Sequence, residues 1–273
     1  MGSDGTLTAA TVLCAVLCYN EESTILRVLQ DLAEVCIRDM PVVVIDDGST
    51  DRTSELMAGT SVLAVRHSTN RGYGAAVKTA AAECHRLGLE YLAIFPGDGQ
   101  RTATDLAKMV KLATSERADL IVGGKALNLR RTPPMRFIIS ASSRLLARVV
   151  WHSTYSDVTS GFKIYRVDHF QNVFNILPDD YSFDVVLSIH AKQLGSRCIQ
   201  FQATTHYEAY KDSKMTTPMR QAILASLNVF RALVRSPSGV RVDRTPSSRK
   251  HRSIDAYAYS QGEGAQSSRA SSD

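Results

Sequence analysis

With 273 residues, 44% of them hydrophobic, the chain can bury a large core, and it reads as one α/β domain over 11–235 between a flexible lead-in at 1–10 and a disordered basic, Ser-rich tail at 236–273. The net charge of +5 concentrates near the end, in Arg235–Arg252, and no recognition motif accompanies it, which argues against a nucleic-acid module. The five cysteines (Cys14, Cys18, Cys36, Cys84, Cys198) are odd in number and form no CxxC pair, which argues against a disulfide framework and fits reduced cytoplasmic thiols best.

Val12–Leu17 reads as the first strand. It is too short to span a membrane and lacks the basic n-region of a signal peptide, and no other window reaches spanning length. The strand ends at Cys18-Tyr19-Asn20-Glu21-Glu22. Ser23–Val35 follows with Ile25, Val28, Leu29 and Leu32 at helical spacing. Pro41–Thr53, PVVVIDDGSTDRT, is the stretch around which the rest is organised. Its four consecutive β-branched residues predict a strand buried on both faces, running into Asp46-Asp47-Gly48-Ser49. Ser49 or Asp51 can then cap a helix beginning near Arg52 and ending near Gly59.

Ser61–Val65 is a third strand, leading to Asn70-Arg71-Gly72-Tyr73-Gly74 and an Ala-rich helix over Ala75–Leu87, with Gly88 as its stop. Tyr91–Phe95 is a fourth strand and runs into Pro96-Gly97-Asp98-Gly99-Gln100. A helix at Leu106–Leu112 and a fifth strand at Leu120–Val122 complete a regular alternation, which implies a largely parallel sheet with right-handed crossovers. The second half is less regular. A long helix is expected at Phe137–Val150, mixed turn and strand at Ser156–Tyr165, a helix at Tyr181–Gln193, a strand at Cys198–Thr204 and an amphipathic helix at Pro218–Val234.

Two adjacent carboxylates at the end of a buried strand mark the edge where open α/β sheets bind ligands, although a plain strand–turn–helix with a capping Asp has the same residues. The first strand's turn, CYNEES, lacks the glycine fingerprint of a nicotinamide-binding fold. Asp98-Gly99 alone is an ordinary turn; the buried strand before it favours a site.

In this order the pieces resemble the inverting family 2 glycosyltransferases of GT-A fold, particularly the dolichyl- or polyprenyl-phosphate sugar transferase branch. The matching stretches are CYNEES (18–23), VVVIDDGSTDRT (42–53), NRGYGAAVKTA (70–80), FPGDGQ (95–100), SDVTSGFKIYR (156–166) and KDSKM (211–215). The resemblance implies a GT-A sheet flanked by helices and a UDP- or GDP-sugar donor. The donor would be held by Tyr19, Asn20, Glu22, Asp46, Asp47, Asn70, Gly72, Gly74, Asp98 and Gly99, the carboxylates accepting from ribose and base and the glycines allowing close approach.

A hard divalent cation, Mg²⁺ or Mn²⁺, offsets the charge of a departing nucleoside diphosphate. The resemblance gives it Asp98 and Gln100 as ligands, with Asp98 also placed in catalysis. The family's first Asp at this motif is Pro96 here, a departure from the pattern. Asp157, in DVTSGF, and Asp184, in YSFDVV, are candidates for the acceptor-side carboxylate, each with a helix or turn cap as its plainer role.

Arg136, Arg148, Lys163 and Arg166 stand where this branch keeps cations for donor and acceptor phosphates, and Ser213 and Lys214 match a closing loop, although Glu208 replaces its expected Arg and Lys211 its Gly. The acceptor implied is a polyprenyl phosphate or another small molecule, reached at the inner face of the membrane by a cytoplasmic or peripheral protein. Met219–Val234 either lies on the membrane surface or packs on the domain. Pro96 and Glu208 also admit a second reading, a degenerate GT-A domain that binds nucleotide sugar without turnover.

Overall fold

The β-branched runs form the centre of a seven-stranded sheet in the computed structural model, which describes residues 11–35, 40–125 and 160–206. The strands are β1 (Val12–Cys18), β2 (Val42–Asp46), β3 (Leu63–Arg66), β4 (Tyr91–Pro96), β5 (Leu120–Lys125), β6 (Lys163–Arg166) and β7 (Cys198–Ala203). Their spatial order is β3-β2-β1-β4-β6-β5-β7. All neighbours are parallel except β6, which runs antiparallel between β4 and β5.

Because side chains alternate along a strand, the sheet divides the apolar residues into two cores. On one face Leu13, Ala15, Val43, Ile45, Leu92 and Ile94 pack under α3 (Tyr73–Arg86), α5 (Val167–Phe174) and α6 (Phe183–Gln193). On the other, Val12, Cys14, Val16, Val44, Tyr91 and Phe95 meet α1 (Ile25–Val35) and α4 (Ala103–Glu116). A sheet covered on both sides explains why β1, β2 and β4 are near-continuous apolar runs. Helix α1 buries the four residues that its spacing predicts, Ile25, Val28, Leu29 and Leu32. Helix α3 presents Ala76, Val77, Ala80, Ala81 and Cys84, small enough to sit close on the strands.

The short helix α2 (Thr53–Ala58) starts where Asp51, not Ser49, accepts the Thr53 N–H at 3.0 Å. Helix α4 is longer than its apolar core suggests, because Thr102 caps it by accepting the Asp105 N–H at 3.2 Å. Strand β6 makes the sheet mixed, and α5 has no counterpart among the elements expected from the sequence. The expected helices at 137–150 and 218–234 and the tail lie outside the described residues.

Connections from β1 run to β2 and β3 on one side, and the chain then returns to β4 on the other. The strand order therefore reverses at β1/β4, and the crevice beyond their C-terminal ends is where a doubly wound sheet binds its ligand.

Candidate functional site

Four loops meet along this edge. Asn20, in the left-handed region at φ 56°, follows β1 and clamps the loop after β2: its Oδ1 accepts the Thr50 N–H at 2.7 Å, and its own N–H donates to Ser49 Oγ at 2.9 Å. Glu22 is exposed yet tied into the same clamp, accepting the Arg52 N–H at 3.0 Å and donating its N–H to Asp51 at 3.1 Å. Tyr19 is half-buried beside them.

Asp46 and Asp47, read from the sequence as acceptors for ribose and base, are buried and engaged by the protein itself. Asp46 Oδ1 accepts from the Ser49 N–H at 2.9 Å and from the Ser49 hydroxyl; its Oδ2 takes the Ser54 hydroxyl and lies 3.4 Å from Arg66 Nε. Asp47 Oδ1 meets His67 Nδ1 at 2.7 Å and the Arg71 N–H at 2.9 Å, while Oδ2 accepts the Gly72 N–H at 2.8 Å. The pair therefore organises two loops: Asp46 shapes its own turn, and Asp47 draws in residues 71–72. Asn70 stays exposed at that loop's crest.

The glycines of the same loop do allow a close approach, but to a different neighbour. A Cβ on Gly72 (φ 100°) would sit 2.5 Å from the Asp179 carbonyl oxygen, and one on Gly74 2.2 Å from that of Pro178. The space a side chain would take at these two positions is filled by the 178–180 loop. Lys78 fastens the loop from the helix side, donating to the Leu177 carbonyl at 2.6 Å and to Asp179 at 2.7 Å.

At the end of β4, Asp98 is half-buried and accepts the Gln100 N–H on Oδ1 at 3.0 Å, with Gly99 at φ 70° completing the turn. Among the described residues nothing donates to Asp98 Oδ2. Thr24 braces the turn by donating to the Gly97 carbonyl at 2.8 Å. Two residues outside every motif complete it. Arg101, buried, spans to the Thr205 hydroxyl at 3.1 Å and lies over the Phe162 ring. His206 donates its backbone N–H to the Gln100 carbonyl at 3.0 Å, so the chain leaving β7 passes directly over the turn.

This corner suits a hard divalent cation. Mg²⁺ is typically held by one or two carboxylates together with substrate phosphates and water, and Asp98, with Gln100 beside it, supplies such a foothold. No cluster of three or more His, Cys, Asp or Glu forms a complete cage among the described residues. Pro96 fills the first position of the motif, paired in register with Leu17.

Lys163 and Asp184 come together, but beneath the surface. Lys163 is 0% exposed and its Nζ lies 2.7 Å from Asp184 Oδ1, which also accepts the Tyr165 hydroxyl at 3.2 Å. Burial pushes the Asp184 carboxyl up, against the pull of Lys163. Burial, followed by the Asp184 charge, holds the Tyr73 and Tyr165 phenols well above the usual tyrosine range. Lys163 is thus one half of a buried ion pair, a correction to its expected role as a phosphate-facing cation.

Arg166 is corrected more simply. It pairs in register with Tyr91, at the opposite end of β4 from Asp98, and its guanidinium is bound to Asp119. Asp157, Arg136, Arg148, Ser213 and Lys214 lie outside the described residues.

Residues 14–174 match the family described as Glycosyl transferase family 2. The chain is 24% identical over 215 residues to an undecaprenyl-phosphate mannosyltransferase of Micrococcus luteus, covering 75% of this chain and 87% of that one. It is 27% identical over 127 residues to a UDP-N-acetylglucosamine–dolichyl-phosphate N-acetylglucosaminyltransferase of Methanococcus voltae, covering 40% of this chain and 50% of the other. Among solved structures it superposes on glucosyl-3-phosphoglycerate synthase from Mycobacterium tuberculosis, in complex with Mn²⁺, UDP and phosphoglyceric acid, with a TM-score of 0.61 at 16% identity over 82% of this chain and 77% of that one. With a reversing sheet order, a carboxylate turn at its crevice and a family match over more than half its length, the chain belongs to glycosyl transferase family 2 and is a glycosyltransferase of GT-A fold.

Proposed function

We propose that this glycosyltransferase moves a hexose from a UDP- or GDP-sugar, with inversion and with a divalent cation, to a polyprenyl phosphate or another small acceptor. The observation that carries the reading is the Asp98–Gln100 turn. It presents a carboxylate oxygen at the crevice beyond β1 and β4, braced by Thr24, Arg101 and the strand leaving β7. Curated relatives named as undecaprenyl- and dolichyl-phosphate sugar transferases support the acceptor class, and a fold neighbour in complex with Mn²⁺ and UDP supports the donor and metal.

In this reading the bound cation offsets the charge gathering on the leaving diphosphate. Asn20, Glu22, Asp46 and Asp47 hold the donor end of the crevice in shape through their loops. A phosphate acceptor is already an anionic nucleophile, so the acceptor-side carboxylate, Asp157 by motif, positions it opposite the diphosphate for in-line displacement. The buried Asp184, paired with Lys163, is the second acceptor-side candidate. No helix of the described residues is long and apolar enough to cross a membrane.

The test is transfer from labelled UDP- and GDP-sugars to a panel of prenyl phosphates with Mg²⁺ or Mn²⁺, repeated with Asp98→Ala. The variant is expected to lose at least a hundredfold in kcat/KM and its metal-dependent nucleotide affinity; wild-type turnover in Asp98→Ala refutes the metal role. Pro96 favours one other reading, a domain that binds nucleotide sugar without turnover. Tight binding by the wild type with no transfer to any acceptor would establish it.

A further inference from the structure

Tyr181 opens the YSFDVV stretch that carries Asp184, and no role has been given to it above. It is 53% exposed, a large aromatic at the tip of the loop before α6. The loop beneath it is held on several sides. Its carbonyls fit against Gly72 and Gly74, Lys78 grips Leu177 and Asp179, the Ala75 N–H donates to the Asp179 carbonyl at 3.2 Å, and Asp180 accepts the Ser182 N–H at 2.8 Å. The Tyr181 ring lies parallel to Tyr73, with centroids 6.1 Å apart and planes 6° from each other, and Tyr73 is braced edge-on by Phe183. The ring is thus flanked by Tyr73 in an offset parallel arrangement while the residue stays more than half exposed.

Its position relative to the crevice follows from the packing of its loop: the Asp179 carbonyl lies against Gly72, whose N–H donates to Asp47 at 2.8 Å just beyond β2. Burial first, and then the charges of Asp47 and Glu21 and the nearby Tyr19, push the Tyr181 phenol up. Because the 178–180 loop packs on residues 72–74 and Asp47 holds residues 71–72, Tyr181 flanks the crevice on its β2 side, whereas Asp98 stands at the β4 side. The two ends differ in what they can receive. A diphosphate is repelled by the carboxylates of Glu21 and Glu22 and belongs at the β4 end, where Asp98 and Gln100 would hold a cation. The uncharged base of the same donor suits the other end, where a supported aromatic face replaces water.

We infer that Tyr181 is a binding residue for the donor's nucleobase, a stacking platform held in place by the interlock of the 177–180 loop with Gly72 and Gly74. The inference rests on the nucleotide-sugar reading above. It also gives the two glycines a function different from the one their motif suggests: they position the aromatic that touches the nucleotide. Stacking uses the π-face that every base has, so it strengthens binding without choosing between uracil and guanine.

The experiment is calorimetric titration of UDP and of GDP into wild type, Tyr181→Phe, Tyr181→Leu and Tyr181→Ala, each with and without Mn²⁺. Tyr181→Phe keeps the ring and is expected to bind within about twofold of wild type. Tyr181→Ala is expected to weaken both nucleotides on the order of tenfold or more. Tyr181→Leu, which preserves apolar packing on Tyr73, should show nearly the same loss, and the loss should be equal with and without Mn²⁺. Ala and Leu variants that bind both nucleotides as wild type does overturn the inference while leaving the donor reading intact. A wild-type chain that binds neither nucleotide overturns the donor reading, and this inference with it.

Discussion

Replacing Lys163 by Met leaves the carboxylate of Asp184 in a site where both partners of the pair are almost completely shielded, at 0% and 4% side-chain exposure. Removing one member of such a pair costs about 3–5 kcal/mol, because the remaining charge is neither hydrated nor neutralised. The Tyr165 hydroxyl still donates to Asp184, which keeps the expected loss near the middle of that range, about 4 kcal/mol. Against a total of about 5–15 kcal/mol for a domain, that is a large fraction. With a urea dependence of about 2 kcal/mol per molar, the unfolding midpoint should fall by about 2 M. The double variant Lys163→Met/Asp184→Asn removes both charges while the carbonyl of the introduced amide can still accept from Tyr165, so it should regain most of the loss. The assay is equilibrium urea unfolding of the three chains at neutral pH. A single variant that loses less than about 1 kcal/mol, or a double variant no better than the single, would refute the reading of a desolvated, mutually dependent pair.

Gly74→Ala drives a methyl group into the Pro178 carbonyl oxygen, at 2.2 Å before any adjustment. The expected cost is about 1–3 kcal/mol, read as a fall of about 2–4 °C in Tm for each kcal/mol, with weaker nucleotide binding as the 178–180 loop shifts. His169 lies 3.6 Å from Asp119 and beside Arg166, and it contacts Ser196 Oγ at 2.8 Å. Burial, the leading cause, lowers its pKa from 6.5 in the folded chain, so the unfolded chain holds the proton more tightly. Stability from this residue is therefore complete above pH 6.5 and is lost as the pH falls below that value toward the lowered one. Urea midpoints at pH 7.5 and 5.5 should separate less in His169→Gln than in wild type.

The parts of the fold legible in the sequence were those whose pattern is local. Val42–Ile45 read as a strand covered on both faces, and Ile25, Val28, Leu29 and Leu32 as one side of a helix. Strand β6 was blurred because four residues, KIYR, are too few to show a period, and because its antiparallel insertion between β4 and β5 is set by tertiary pairing. Helix α5 is eight residues long and begins directly at the end of that strand.

At the site, residue types were more legible than partners. Asp46 and Asp47 had to accept several hydrogen bonds and do, but from serine hydroxyls, backbone amides and His67. Gly72 and Gly74 had to admit a close neighbour and do, but it is a loop from a distant part of the chain. Lys163 could not be told from a surface cation, since its partner Asp184 comes from a separate helix further along the chain. Arg101 carried no local signal, because its partners at Ser160, Thr204 and Thr205 come from two distant segments.

The internal satisfaction of Asp46 and Asp47 has a thermodynamic consequence. Because the turns at the crevice are already cross-linked through these carboxylates, an incoming ligand meets walls that need not be ordered first. Association should therefore forfeit little chain entropy, and amide protons at Arg71 and Gly72 should exchange slowly with solvent in the unliganded protein, nearly as slowly as in the complex.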